Sequence, residues 1–162
     1  MRQTLNLKNT LLLFLTAIAF ISCKKEDEIV PFKENRDFAD LSLIGQGSLY
    51  GNGDEGFTQQ NIVISNEEDW TDFINSVDSY NEVSSSFSET DIDFDLYDVF
   101  AIMDQVRSSG GYAVTIDTVY ETSEDVIVDV LASTPEGLVT TVITQPYYIA
   151  KYPKSGKTIL FE

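Results

Sequence analysis

The sequence predicts an α+β domain, a mainly antiparallel β-sheet of about six strands packed on one principal helix. Three observations carry that expectation. Apolar residues alternate with period 2 over several short segments, a single segment has a helical period, and clusters of Gly, Pro, Asn and Asp punctuate them at short intervals. The first segment places Leu41, Leu43, Gly45, Gly47 and Leu49 on alternate positions. It reads as a strand in which two glycines on one face mark a bulge or a close backbone approach. A Gly/Asn/Asp turn cluster follows over 50–56, then a short strand over 61–64.

The helix has three independent signals. Ser65 is the expected N-cap, with Glu68 completing a capping box. Glu67, Glu68 and Asp69 put negative charge in the first turn, where the helix dipole favours it. Trp70, Phe73, Ile74 and Val77 form one apolar stripe, which predicts core packing for Trp70 rather than a ligand platform. The serine-rich stretch 78–91 has no period and reads as a loop pinned by Phe87.

Further strands are predicted over 99–104, 112–118, 125–132 and 138–150, with a last one over 157–161. Thr134-Pro135-Glu136-Gly137 suits a type I turn. Pro146 has no N–H for a ladder and so marks a bulge or an edge within the fourth of these strands.

Ahead of this domain, Arg2 and Lys8 precede an apolar run over 11–21, and Ser22 stands before Cys23, the only cysteine in the chain. This is the layout of a secretory signal. Ala17-Ile18-Ala19 could serve an ordinary cleavage, but Phe20-Ile21-Ser22-Cys23 resembles a bacterial lipobox, in which the cysteine is lipidated and everything before it is removed. A membrane-spanning helix needs about 20 apolar residues, roughly twice this run. The expected organisation is a lipoprotein signal peptide over 1–22, an acidic tether over 23–40 that begins at the lipidated cysteine, and a single globular domain over 41–162. Lys24-Lys25-Glu26-Asp27-Glu28 resembles the Lys-then-acidic signals of lipoproteins displayed outside some Gram-negative cells. The expected address is the cell envelope, as an outer-membrane lipoprotein; the 24–28 run reads either as a display signal for the cell surface or as a solvated charge run.

Composition narrows the function classes. The chain carries 27 acidic against 10 basic residues, a net charge of −17. Removal of Arg2 and Lys8 with the signal would leave eight basic residues, so the mature surface repels phosphate backbones and anionic headgroups. Nucleic acid is excluded as a partner, and the membrane contact expected is the lipid on Cys23. With no histidine and no thiol beyond Cys23, the commonest general base, metal ligand and cysteine nucleophile are missing. Ser155 between Lys154 and Lys157 reads as a turn, and Asp117-Thr118 lacks the glycine of an aspartic protease site. Asp91-Ile92-Asp93-Phe94-Asp95-Leu96-Tyr97-Asp98 begins like an EF-hand loop, but Leu96 replaces the turn glycine and Ile102 the closing glutamate. An irregular calcium site joining this cluster to Asp54 and Glu55 is the alternative. Otherwise alternation puts Ile92, Phe94 and Leu96 inside and the aspartates in water. No catalytic residue, metal or cofactor is expected.

The most specific signal is an ordered series. It runs Ile92-Asp93-Phe94, the strand over 99–103, Gly110-Gly111-Tyr112-Ala113-Val114-Thr115-Ile116, Gln145-Pro146-Tyr147-Tyr148-Ile149 and Lys151-Tyr152-Pro153-Lys154. The series resembles the PrcB C-terminal domain of the protease complex subunit PrcB family of bacterial lipoproteins, over residues 90–155, with a shorter loop before the glycines. The resemblance implies a membrane-anchored, non-catalytic accessory or binding lipoprotein that stabilises or contacts a secreted or surface protein such as a protease. A small-ligand or glycan-binding surface lipoprotein is the alternative. The partner-binding candidates are Gly110, Gly111, Tyr112, Tyr147, Tyr148 and Tyr152, since tyrosine combines contact area with a polar handle. Strand parity puts Tyr148 and Tyr152 on one face and Tyr147 on the other.

Overall fold

The computed structural model describes residues 41–162; the signal segment, Cys23 and the tether to residue 40 lie outside the described residues. Among the described residues, seven strands and one α-helix follow in the order β1 (Ser42–Leu49), β2 (Gln60–Ile64), α1 (Glu67–Val77), β3 (Tyr97–Met103), β4 (Ala113–Glu121), β5 (Asp125–Ser133), β6 (Gln145–Pro153) and β7 (Thr158–Phe161). They form two sheets instead of the expected one. The first has the order β1-β6-β3-β2 and is antiparallel throughout. In the second, β4-β5-β7, the β5–β7 pair is parallel.

The reason for two sheets lies in β3. Its sequence is apolar on both parities, so both of its faces must be covered. Val99, Ala101 and Met103 join one buried cluster with Trp70, Phe73 and Val77 of α1, together with Ile149 of β6. Phe100 and Ile102 join another with Val114, Ile116, Val126 and Val128 of the second sheet. One helix cannot cover two faces. The second sheet covers the other.

Several local expectations need correction. The cap of α1 is Asn66 rather than Ser65. Asn66 has extended dihedrals, its Oδ1 accepts from Asp69 N–H at 2.9 Å, and its carbonyl takes the first helical bond, from Trp70 N–H. Trp70 is in the core as expected, and its indole N–H donates to the Thr90 carbonyl at 2.8 Å. Over Asp91–Asp98 the expected alternation holds for Ile92 and Phe94, which join the α1-side cluster while Asp91, Asp93 and Asp95 are exposed, and it breaks at Leu96 and Asp98. Asp93 organises a turn by accepting from the amides of Asp95, Leu96 and Tyr97, which leaves Leu96 exposed and Asp98 buried, 3.6 Å from Lys154 Nζ. In β1 the register shifts between Leu43 and Gly45, and the Phe87 ring occupies the space a Gly45 side chain would need.

The largest correction concerns the predicted strand over 138–150. Strand β6 begins only at Gln145, and residues 138–143 belong to neither sheet. Pro146 is therefore in the second position of a strand that lies between β1 and β3, not on an edge. It fits because it faces Asp104, one residue past the end of β3. Its carbonyl accepts from Asp104 N–H at 2.9 Å, and the N–H it lacks is replaced by Gln145 Nε2, which donates to the Asp104 carbonyl at 2.9 Å.

Candidate interaction surface

Three connections meet where β3 and β5 end and β4 and β6 begin: the loop after β1, the loop between β3 and β4, and the loop between β5 and β6. Their contacts are built on glycines and one buried acid. Asp104, nearly inaccessible, binds the Arg107 guanidinium in bidentate fashion, Nε at 2.7 Å and Nη2 at 3.0 Å. These charged hydrogen bonds raise the Arg107 pKa above its ordinary value against the opposing effect of burial. The guanidinium sits 4.6 Å from the centroid of the Tyr112 ring, a cation–π contact contributing about 0.5–1 kcal/mol at such a site. Arg107 also exchanges both backbone hydrogen bonds with Thr144, and Gly110 N–H donates to the Thr140 carbonyl at 3.1 Å.

The Gly110-Gly111 pair is what lets these loops close. A Cβ on Gly110 would lie 2.5 Å from Thr140 Oγ1. Gly111 has φ of +88° and a Cβ there would lie 2.7 Å from the Cβ of Pro135. Gly111→Ala should therefore cost about 1–2 kcal/mol from the left-handed conformation alone, with the clash against proline added. A thermal melt that matches the parent would refute this account of the pair.

The candidate tyrosines separate sharply. Tyr147 is 4% exposed and belongs to the α1-side cluster, while Tyr152 is 3% exposed and belongs to the cluster between the sheets, together with the half-buried Tyr148. Burial raises the phenol pKa of Tyr147 and Tyr148, opposed by hydrogen bonds to Ser86 and Thr115 respectively. Tyr152 is thus a core residue, and Tyr147, also buried, contributes to the floor of the cleft that Tyr112 lines. Tyr112 is the half-buried tyrosine beside the loops, and it lines a cleft of about 350 Å³ with Gln46, Ser48, Tyr50 and Val114.

Sequence reasoning missed the most exposed apolar residues of this end. Leu138 is fully exposed, and Val106, Val139, Val142 and Ile143 are each more than 40% exposed. Val106 lies against Gly53 and Val139 near Gly111, so each of these two side chains borders a glycine contact of the loops. The predicted strand over 138–150 includes these residues because β-branched residues without charge give the same signal whether a core or a partner covers them. The two lysines flanking Ser155 are engaged in hydrogen bonds. Lys154 Nζ donates to the carbonyls of Ser65 and Phe94, and Lys157 Nζ to Glu121 and the Thr122 carbonyl.

Residues 99–153, from β3 through the last residue of β6, match the family model described as PrcB C-terminal. No curated protein and no solved structure matches the chain. The matched segment, about a third of the chain, carries the Gly110-Gly111-Tyr112 closure, the Gln145-Pro146 pair and the exposed apolar loop, and over this stretch the chain is similar to the PrcB C-terminal family.

Proposed function

We propose that the protein is a membrane-anchored, non-catalytic accessory lipoprotein that binds a secreted or surface protein, a protease being the partner class the family name suggests. The observation that carries this reading is the exposed apolar surface of Val106, Leu138, Val139, Val142 and Ile143, which lies within the family-matched segment of a strongly acidic chain. Contiguous apolar surface rimmed by polar residues marks contact sites. The anchor is lipid on Cys23. The address is the cell envelope, on the outer membrane and facing outward.

Two experiments test the two halves of the proposal. Crosslinked capture from the native membrane should yield one stoichiometric partner with the parent chain. Leu138→Asp/Val142→Asp should reduce that yield at least tenfold while leaving the Tm within a few degrees, since both side chains are exposed. Equal recovery by the variant would place binding elsewhere. For the anchor, Cys23→Ala should move the protein from the membrane fraction to the soluble fraction, because each buried acyl methylene contributes about 0.8 kcal/mol. Membrane association that survives salt and alkaline washing would refute lipidation.

A second reading, small-ligand or glycan binding, draws on the cleft that Tyr50 and Tyr112 share. Saturable glycan binding that is lost in Tyr50→Ala would favour it.

A further inference from the structure

Residues 139–144 read Val-Thr-Thr-Val-Ile-Thr, six β-branched residues in succession. This composition has a strong preference for strand. Leu138 precedes them, and no charged residue occurs from 138 to 150 in a chain with 37 charged side chains. Yet 138–143 lie outside both sheets, and all six residues are exposed. The run is fastened at two points: the Thr140 carbonyl, which accepts from Gly110, and Thr144, which pairs with Arg107. Among the described residues, Leu138, Val139, Thr141, Val142 and Ile143 make no backbone hydrogen bond.

Folded proteins blunt such an edge with a charge, a proline or a bulge, because unpaired peptide groups beside apolar side chains template pairing with another chain. Neither a charge nor a proline occurs within 138–143. We infer that the run is the receiving edge for β-strand addition, on which a protein partner lays one extended segment. The inference rests on the protein-binding reading above and specifies how that surface engages. Thr140 and Thr144 turn backbone groups inward to the loop between β3 and β4. Val139, Thr141 and Ile143 have backbone groups with no partner in the described residues, and the added strand pairs with them.

Charge selects the occupant. The pairing stretch of the partner is uncharged and apolar, matching the run, and its flanks are neutral or basic, matching a chain of net charge −17. A second copy would set 27 further acidic residues against the first, and an anionic membrane would be repelled in the same way.

The test uses the full chain and a synthetic peptide that repeats the sequence of residues 138–144 between paired lysines. Saturating peptide should slow amide exchange at Val139, Thr141 and Ile143 at least tenfold. N-methylation of alternate peptide amides along the pairing edge should remove that protection. Thr141→Pro deletes an unpaired N–H without touching an existing hydrogen bond, so it should abolish peptide binding at unchanged Tm. Absence of protection, or equal binding by the N-methylated peptide or by Thr141→Pro, overturns strand addition. If Leu138→Asp/Val142→Asp still blocks capture of the native partner in that event, protein binding stands and only its mode is lost. Self-association through this run in sedimentation, or its protection by phosphatidylcholine vesicles in place of peptide, overturns the choice of occupant.

Discussion

Tyr152→Ala lowers the stability of the domain by about 3–5 kcal/mol, the range for truncating a buried aromatic side chain. The ring is 3% exposed, stacks on Phe100 with centroids 5.6 Å apart, and fills the space between the two sheets. Its hydroxyl donates to Glu121 Oε1 at 3.0 Å, while Lys157 Nζ holds Oε2 at 2.8 Å. Truncation therefore opens a cavity and removes a hydrogen bond from a carboxylate that is 2% exposed. Tyr152→Phe keeps the ring and should lose only about 1–2 kcal/mol. Tyr112→Ala, on the loop end, should lose about 1 kcal/mol or less, the size of its contact with Arg107. Urea melts of the three variants separate them. A Tyr152→Ala loss as small as that of Tyr112→Ala would mean that the ring does not pack between the sheets.

Gln145→Leu lowers stability by about 2–4 kcal/mol, although it changes volume little and replaces a polar group in the core by an apolar one. Gln145 is 1% exposed, and its Nε2 donates to two carbonyls, those of Phe57 and Asp104, each at 2.9 Å. Leucine strips both acceptors of their donor, and each buried carbonyl left unpaired costs about 1–3 kcal/mol. The deficit at Asp104 originates in the neighbouring proline, which has no N–H to offer. Pro146→Ala restores that N–H directly opposite the Asp104 carbonyl. The double variant Gln145→Leu/Pro146→Ala should therefore be more stable than Gln145→Leu by about 1 kcal/mol or more. A double-mutant cycle with no coupling would show that the amide does not stand in for the missing ladder donor.

The two variants mark where sequence reasoning holds and where it stops. Tyr152 and Tyr148 share a face and Tyr147 takes the other, as parity requires, because the side-chain period of a strand is a local property. Which face is buried is not local. Parity put both sets within reach of a partner, and only the second sheet over Phe100 and Ile102 removed Tyr152 from the surface. Pro146 is a similar case. The missing N–H was legible, but its harmlessness in a central strand depends on β3 ending opposite it and on Gln145 reaching across.

By itself the sequence determined the helix stripe, the placement of most strands and the resemblance to a family over residues 99–153, through residues whose order survives without any structure. Those features follow from backbone preference and short-range period. Only the tertiary structure decided that β3 needs two covers and that the aspartates of 91–98 make a turn. It alone left the β-branched run 139–144 outside both sheets. A β-branched, uncharged segment has the same local preference whether its pairing partner lies in its own chain or elsewhere. Strand pairing is a contact between segments distant in sequence, so local preference specifies that the segment seeks a partner but not which one it finds.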